Sequence, residues 1–115
     1  MRVNGIDALY YSAKDFDRAR AFYTHMLGAE PDQQFAGACE WTLPNGETFG
    51  VVQGEHYRPG SGVLFNVSDV TAMVSELRRD GVVFDDDGEL EETPVCFMAF
   101  GTDSEGNTFI LHQRK

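Results

Sequence analysis

Two stretches of this chain repeat at one fixed offset, and that repeat narrows the possible folds more than any other feature. Residues 45–53 read Asn-Gly-Glu-Thr-Phe-Gly-Val-Val-Gln, and residues 105–113 read Glu-Gly-Asn-Thr-Phe-Ile-Leu-His-Gln. Gly46/Gly106, Thr48/Thr108, Phe49/Phe109 and Gln53/Gln113 therefore coincide. Upstream, Ser-Ala-Lys-Asp-Phe-Asp at 12–17 resembles Asn-Val-Ser-Asp-Val-Thr at 66–71, and each leads into a helical pattern. A repeat of this length makes each half one supersecondary unit, which buries its apolar face by packing on the other. A duplicated sheet of that kind would carry its function in the hollow between the halves.

The local patterns assign elements to each half. Ile6–Ala13 reads as a strand, and a helix starts at Asp15 or its neighbour. Phe16, Ala19, Phe22, Tyr23 and Leu27 fall on one helical face, with Gly28 as a left-handed stop. Phe35–Leu43 reads as one strand. Pro44-Asn45-Gly46 is a tight turn, because Asn and Gly tolerate positive φ, and Thr48–Gln53 returns from it. Pro59-Gly60-Ser61 has linker composition. The second half follows with a strand at Gly62–Val67 and Asp69 as N-cap. A helix face of Val70, Met73, Val74 and Leu77 ends at Gly81. Val82–Phe84 is a short strand, and Val95–Phe100 and Thr108–His112 form a hairpin around residues 103–107. The expected fold is α+β: two βαβββ modules, about 1–57 and 60–115, in a single domain of 115 residues, with a curved mixed sheet and the helices on its convex side.

Composition limits function. A hydrophobic content of 42% is enough for a packed core at this length. A net charge of −10 repels nucleic-acid phosphates and anionic membranes. The acidic run from Asp85 to Glu92 lacks the ligand spacing of an EF-hand and reads as a solvated loop. Cys39 and Cys96 have no CxxC spacing and read as buried free thiols. No signal peptide or run of 18 apolar residues is visible. The expected setting is cytoplasmic, with no nucleic-acid or membrane partner.

These pieces together resemble the vicinal oxygen chelate superfamily, which includes glyoxalase I, bleomycin-resistance proteins, fosfomycin-resistance enzymes and extradiol dioxygenases. The resemblance rests on Ile6-Asp7 before a strand, Lys14-Asp15 followed by Arg18-Ala19-Arg20-Ala21-Phe22-Tyr23, Leu27-Gly28, Val67-Ser68-Asp69, and Asp103-Ser104-Glu105-Gly106-Asn107. It spans essentially the whole chain. Metal-dependent members hold a divalent ion with four side chains on the concave face, and the resemblance puts those positions at Ala8, Gly50, Gly62 and Ile110. None of the four has an imidazole, thiolate or carboxylate donor. The resemblance therefore implies a protein without the usual metal and with no cofactor. It also implies a homodimer that takes a small organic ligand, cationic or aromatic, in the manner of the bleomycin-resistance branch.

Strand parity suggests which side chains line the hollow. Tyr10 and Ser12 share a face with Ala8, Leu64 and Asn66 share one with Gly62, and His112 shares one with Ile110 and Thr108. On the second strand either Trp41 or Glu40 faces inward, and parity alone leaves this open. The candidate ligand-binding set is Tyr10, Ser12, Trp41, Leu64, Asn66, Phe100, Ile110 and His112, and the aromatic surplus suits an apolar pocket. His25 sits at a helix C-terminus and His56 in the linker, so neither joins the set. An alternative is a lyase, isomerase or dioxygenase-like enzyme without the metal, with Glu40, His112 or Tyr10 as general acid or base. Such help supplies roughly 10²–10⁴-fold. A third reading is an interaction module that binds no ligand.

Overall fold

The computed structural model describes residues 1, 2, 4, 7–54, 60 and 62–115. By its internal contacts the chain forms two compact units, Met1–Pro59 and Gly60–Lys115. His56 and the Pro59 and Ser61 of the linker lie outside the described residues.

The first unit contains β1 (Leu9–Ala13), α1 (Phe16–Leu27), β2 (Gln33–Phe35), β3 (Ala38–Thr42) and β4 (Thr48–Gln53). Its strands lie side by side in the order β1-β4-β3-β2, with β1 parallel to β4 and the others antiparallel. The helix begins where expected. Asp15 is extended and its carboxylate accepts from the Arg18 amide, while Gly28 ends the helix at φ 77°. One expectation changes: the single strand at Phe35–Leu43 is two strands. The chain reverses at Ala36-Gly37, where Gly37 takes φ 73°, a conformation costly for a residue with a Cβ.

The second unit contains β5 (Val63–Asn66), α2 (Val70–Arg79), β6 (Val83–Phe84), a 3₁₀ turn at Asp85–Gly88, β7 (Glu91–Glu92), β8 (Cys96–Thr102) and β9 (Thr108–Arg114). Its strands run β5-β9-β8-β6, and β7 also pairs with β8. The expected solvated loop at 85–92 is therefore partly structured, although Asp85, Asp86 and Asp87 are exposed. Asp69 caps α2 as expected, accepting from the Ala72 amide. Both units are βαβββ in plan, with β7 added to the second.

In each unit one sheet face packs on the helix. On the first, Tyr11, Phe49 and Trp41 pack with Tyr23 of α1. The Tyr23–Phe49 ring centroids lie 4.8 Å apart and the Tyr23–Trp41 centroids 6.4 Å. On the second, Phe65, Phe84 and Phe109 pack with each other, and Val70, Val74 and Leu77 are the buried residues of α2. Trp41 faces Phe49 across the β3–β4 ladder, and Gly101 faces Phe109 across the β8–β9 ladder. The Phe109 ring occupies the space over Gly101: a Cβ there would lie 2.4 Å from its Cζ.

Both repeated glutamines accept from the first amide of their unit's helix, and Gln53 also donates through Nε2 to the Lys14 carbonyl at 2.8 Å. Gln53 Oε1 accepts from the Phe16 amide at 3.0 Å, and Gln113 Oε1 accepts from the Val70 amide at 2.8 Å. Those amides open α1 and α2, where the helix itself offers no acceptor. Each glutamine therefore ties the last strand of its unit to the start of that unit's helix.

Candidate functional site

Packing settles the orientation that sequence parity left open. Trp41 is 2% exposed on the helix side, with its indole N–H donating to the Ala29 carbonyl at 2.8 Å. This corrects its place among the candidate ligand-binding residues: it is a core residue, held inside by the aromatic cluster around Tyr23. Glu40 consequently points to the far face, away from α1.

The far face of the first unit carries a row across all four strands. Tyr10 is in register with Gly50, Gly50 with Glu40, and Glu40 with Gln33. Cross-strand partners project to the same side. The Tyr10 ring lies over Gly50, so a Cβ there would sit 2.7 Å from both Cε2 and Cζ of the ring. The phenol thus crosses one whole strand, and its hydroxyl donates to Glu40 Oε2. Among the described residues, nothing donates to the other Glu40 oxygen. Desolvation first, then the hydrogen bond and the negative charge of Glu40, push the phenol up to about 12. Tyr10 therefore keeps its proton at neutral pH and acts as a hydrogen-bonding group rather than a base. It remains 40% exposed. Ser12 lies one pleat further along the same face.

The far face of the second unit differs. The row equivalent to Tyr10-Gly50-Glu40 is Leu64-Ile110-Phe100, which is entirely apolar. Next to it runs Asn66-His112-Met98-Glu91. Leu64 is 50% exposed and Ile110 only 8%. His112 is half-buried, within a strand that continues to Arg114 and so does not fray there. Asp85, Asp86, Glu89, Glu91 and Phe100 line a cavity of 220 Å³. Tyr10, Ser12 and Glu40 thus share the first unit's far face, while Leu64, Asn66, Phe100, Ile110 and His112 share the second's. His25 is exposed at the end of α1. Gln33 and the role of Gly50 escaped the sequence reading, because the short β2 carries no periodic signal.

The positions where the resemblance would put a divalent ion do not fit one. Ala8, Gly50, Gly62 and Ile110 lack donors, and the space over Gly50 holds the Tyr10 ring. Among the described residues no three His, Cys, Asp or Glu side chains are grouped to hold a metal. Cys39 and Cys96 are buried free thiols, and burial pushes the Cys39 thiol up, away from reactivity.

Compared by sequence, the chain matches no family model and no curated protein. Compared by structure, it resembles the antibiotic-binding protein TnmS3 of Streptomyces sp. CB03234, with a TM-score of 0.80 at 23% identity over 100% of this chain and 99% of that one. The oxidase ChaP-H2 is similar with a TM-score of 0.78 at 21% identity, over 100% of this chain and 96% of that one. A glyoxalase/bleomycin-resistance protein from Catenulispora acidiphila DSM 44928 aligns with a TM-score of 0.73 at 23% identity, over 92% and 95%. The chain has the glyoxalase/bleomycin-resistance fold. The α+β fold of two βαβββ modules expected from the repeat is therefore present, and identities this low establish the fold alone. No described helix is long and apolar enough to cross a membrane.

Proposed function

We propose that this vicinal oxygen chelate-fold protein binds a small organic ligand on the sheet faces turned away from its helices, without the divalent ion used by metal-dependent relatives. The observation that supports this most is the replacement at Gly50. Where a metal ligand would project, a glycine lies beneath a tyrosine ring hydrogen-bonded to a carboxylate. A partly exposed aromatic next to a few polar groups has the character of a small-molecule site. Leu64 and Phe100 on the second unit add apolar surface, and Asn66 and His112 add polar anchors. A solved protein of the same fold is an antibiotic-binding protein.

The reading includes a homodimer, since β1 and β2 end one sheet and β5 and β6 the other, and a partner copy would cover such edges. Light scattering at the elution peak tests that part. Binding itself is tested by an NMR screen of aromatic and cationic small molecules. Hits should shift resonances of Tyr10, Ser12 and Glu40, or of Leu64, Asn66 and His112. A screen without hits, or hits that perturb only other surfaces, would contradict the reading.

A catalytic variant draws on Glu40, whose second oxygen accepts from no described residue. Turnover of a bound hit, followed by mass spectrometry and lost in Glu40→Gln, would favour it over binding alone.

A further inference from the structure

We infer that the Tyr10–Glu40 pair selects ligands by a hydrogen-bond donor, a hydroxyl or an ammonium, and discriminates against ligands that present only acceptors. This rests on the binding reading above and names the chemistry its first-unit face would recognise. The pair contains a single polar proton, the phenolic one, and that proton is spent inside the pair on Glu40 Oε2. Among the described residues, what remains of the pair is acceptor capacity: the lone pairs of the Tyr10 oxygen and the second carboxylate oxygen of Glu40. Gly50 holds the pair together, because no side chain there lifts the ring off the sheet and away from Glu40. The phenol stays protonated well past neutral pH, so the arrangement persists under ordinary conditions. Hydrogen bonds to a charged acceptor are the stronger kind. An ether or a carboxylate brought to the pair would leave acceptor facing acceptor.

Four probes that share one ring system separate the outcomes by calorimetry: 2-naphthol, 2-naphthylmethylamine, 2-methoxynaphthalene and 2-naphthoate. The hydroxyl and ammonium probes should bind at least about tenfold tighter than the methoxy and carboxylate probes, the scale of one charge-assisted hydrogen bond. A preference for the ammonium alone would trace the selection to charge, and would overturn the donor rule. In Glu40→Gln the new amide faces outward with donors, so the naphthol-over-methoxynaphthalene preference should vanish or reverse. A merely structural role for Glu40 would weaken all four probes alike. Should E40Q fail to fold, the ¹³Cζ resonance of Tyr10 in the unaltered protein serves instead. It should move on adding naphthol and stay in place with methoxynaphthalene. Equal affinity for naphthol and methoxynaphthalene sinks the donor rule and leaves the binding reading standing. No affinity for any of the four removes both.

Discussion

Gly50 and Gly101 look alike in sequence and do different things. Each lies under an aromatic ring, Gly50 on the far face under a ring that is 40% exposed, Gly101 on the helix face under Phe109, which is 0% exposed. A Cβ at Gly101 would meet the buried Phe109 ring, whereas one at Gly50 would meet the half-exposed Tyr10 ring and, at 2.9 Å, the backbone carbonyl oxygen of Cys39. Gly101→Ala should therefore cost about 1–3 kcal/mol by overpacking, read as a lower urea midpoint. Gly50→Ala should also destabilise, since the Cys39 carbonyl must give as well as the ring, and it should break the Tyr10–Glu40 bond and bring the phenol back from about 12 towards 10. The raised value also predicts how stability responds to alkali. The folded protein keeps the Tyr10 proton up to about 12, whereas the unfolded chain releases it near 10. The stability from this group is thus fully present below pH 10 and is lost between pH 10 and about 12. Urea midpoints across that window should fall more steeply for the unaltered protein than for Tyr10→Phe, and parallel curves would contradict the assignment.

At the scale of elements, the glutamine that closes each repeat makes a testable asymmetry. Gln113 reaches the amide of Val70, which is 1% exposed, whereas Gln53 reaches an amide that water can also reach. Gln113→Ala should cost about 1–2 kcal/mol, as for a lost cap with an orphaned donor; Gln53→Ala should cost less although it removes two bonds, because both are exposed to water, as chemical denaturation would measure. The repeat made the helices, their caps and the β8–β9 hairpin readable, because Asp15, Asp69, Gly28 and Gly46 each have a local physical reason to sit where they do. Other elements had no such local cause. The break at Gly37 lies between two alanines, with no Asn, Asp or Pro beside it to mark a turn. Glu91-Glu92 has no strand propensity and is paired only by tertiary context. The face of α1 was also read slightly off. Ala19 and Tyr23 are buried as expected, but Met26 is buried with them, while Phe16, Phe22 and Leu27 are half-buried.

At the scale of the whole molecule, duplication carried the fold and could not carry the site. The two far faces have diverged, one polar at Tyr10 and Glu40, the other apolar at Leu64, Ile110 and Phe100. Parity sorted strand residues into two sets without saying which set meets the helix. The packing of Trp41 against the aromatic cluster decides that, and with it which residue faces outward. The donor-poor positions lead to a bulk prediction. Zn²⁺, Ni²⁺ or Mn²⁺ in excess should leave the melting temperature unchanged, because an ion held by the native state at a hundredfold over its Kd would add about 2.7 kcal/mol. The claim beneath all of this is that a phenol and a carboxylate meet over Gly50, and one titration tests it most directly. With ¹³Cζ-tyrosine labelling and Tyr10→Phe to assign the signal, Tyr10 should titrate at about 12 and fall towards 10 in Glu40→Gln. A Tyr10 signal that titrates near 10 in both proteins would contradict it.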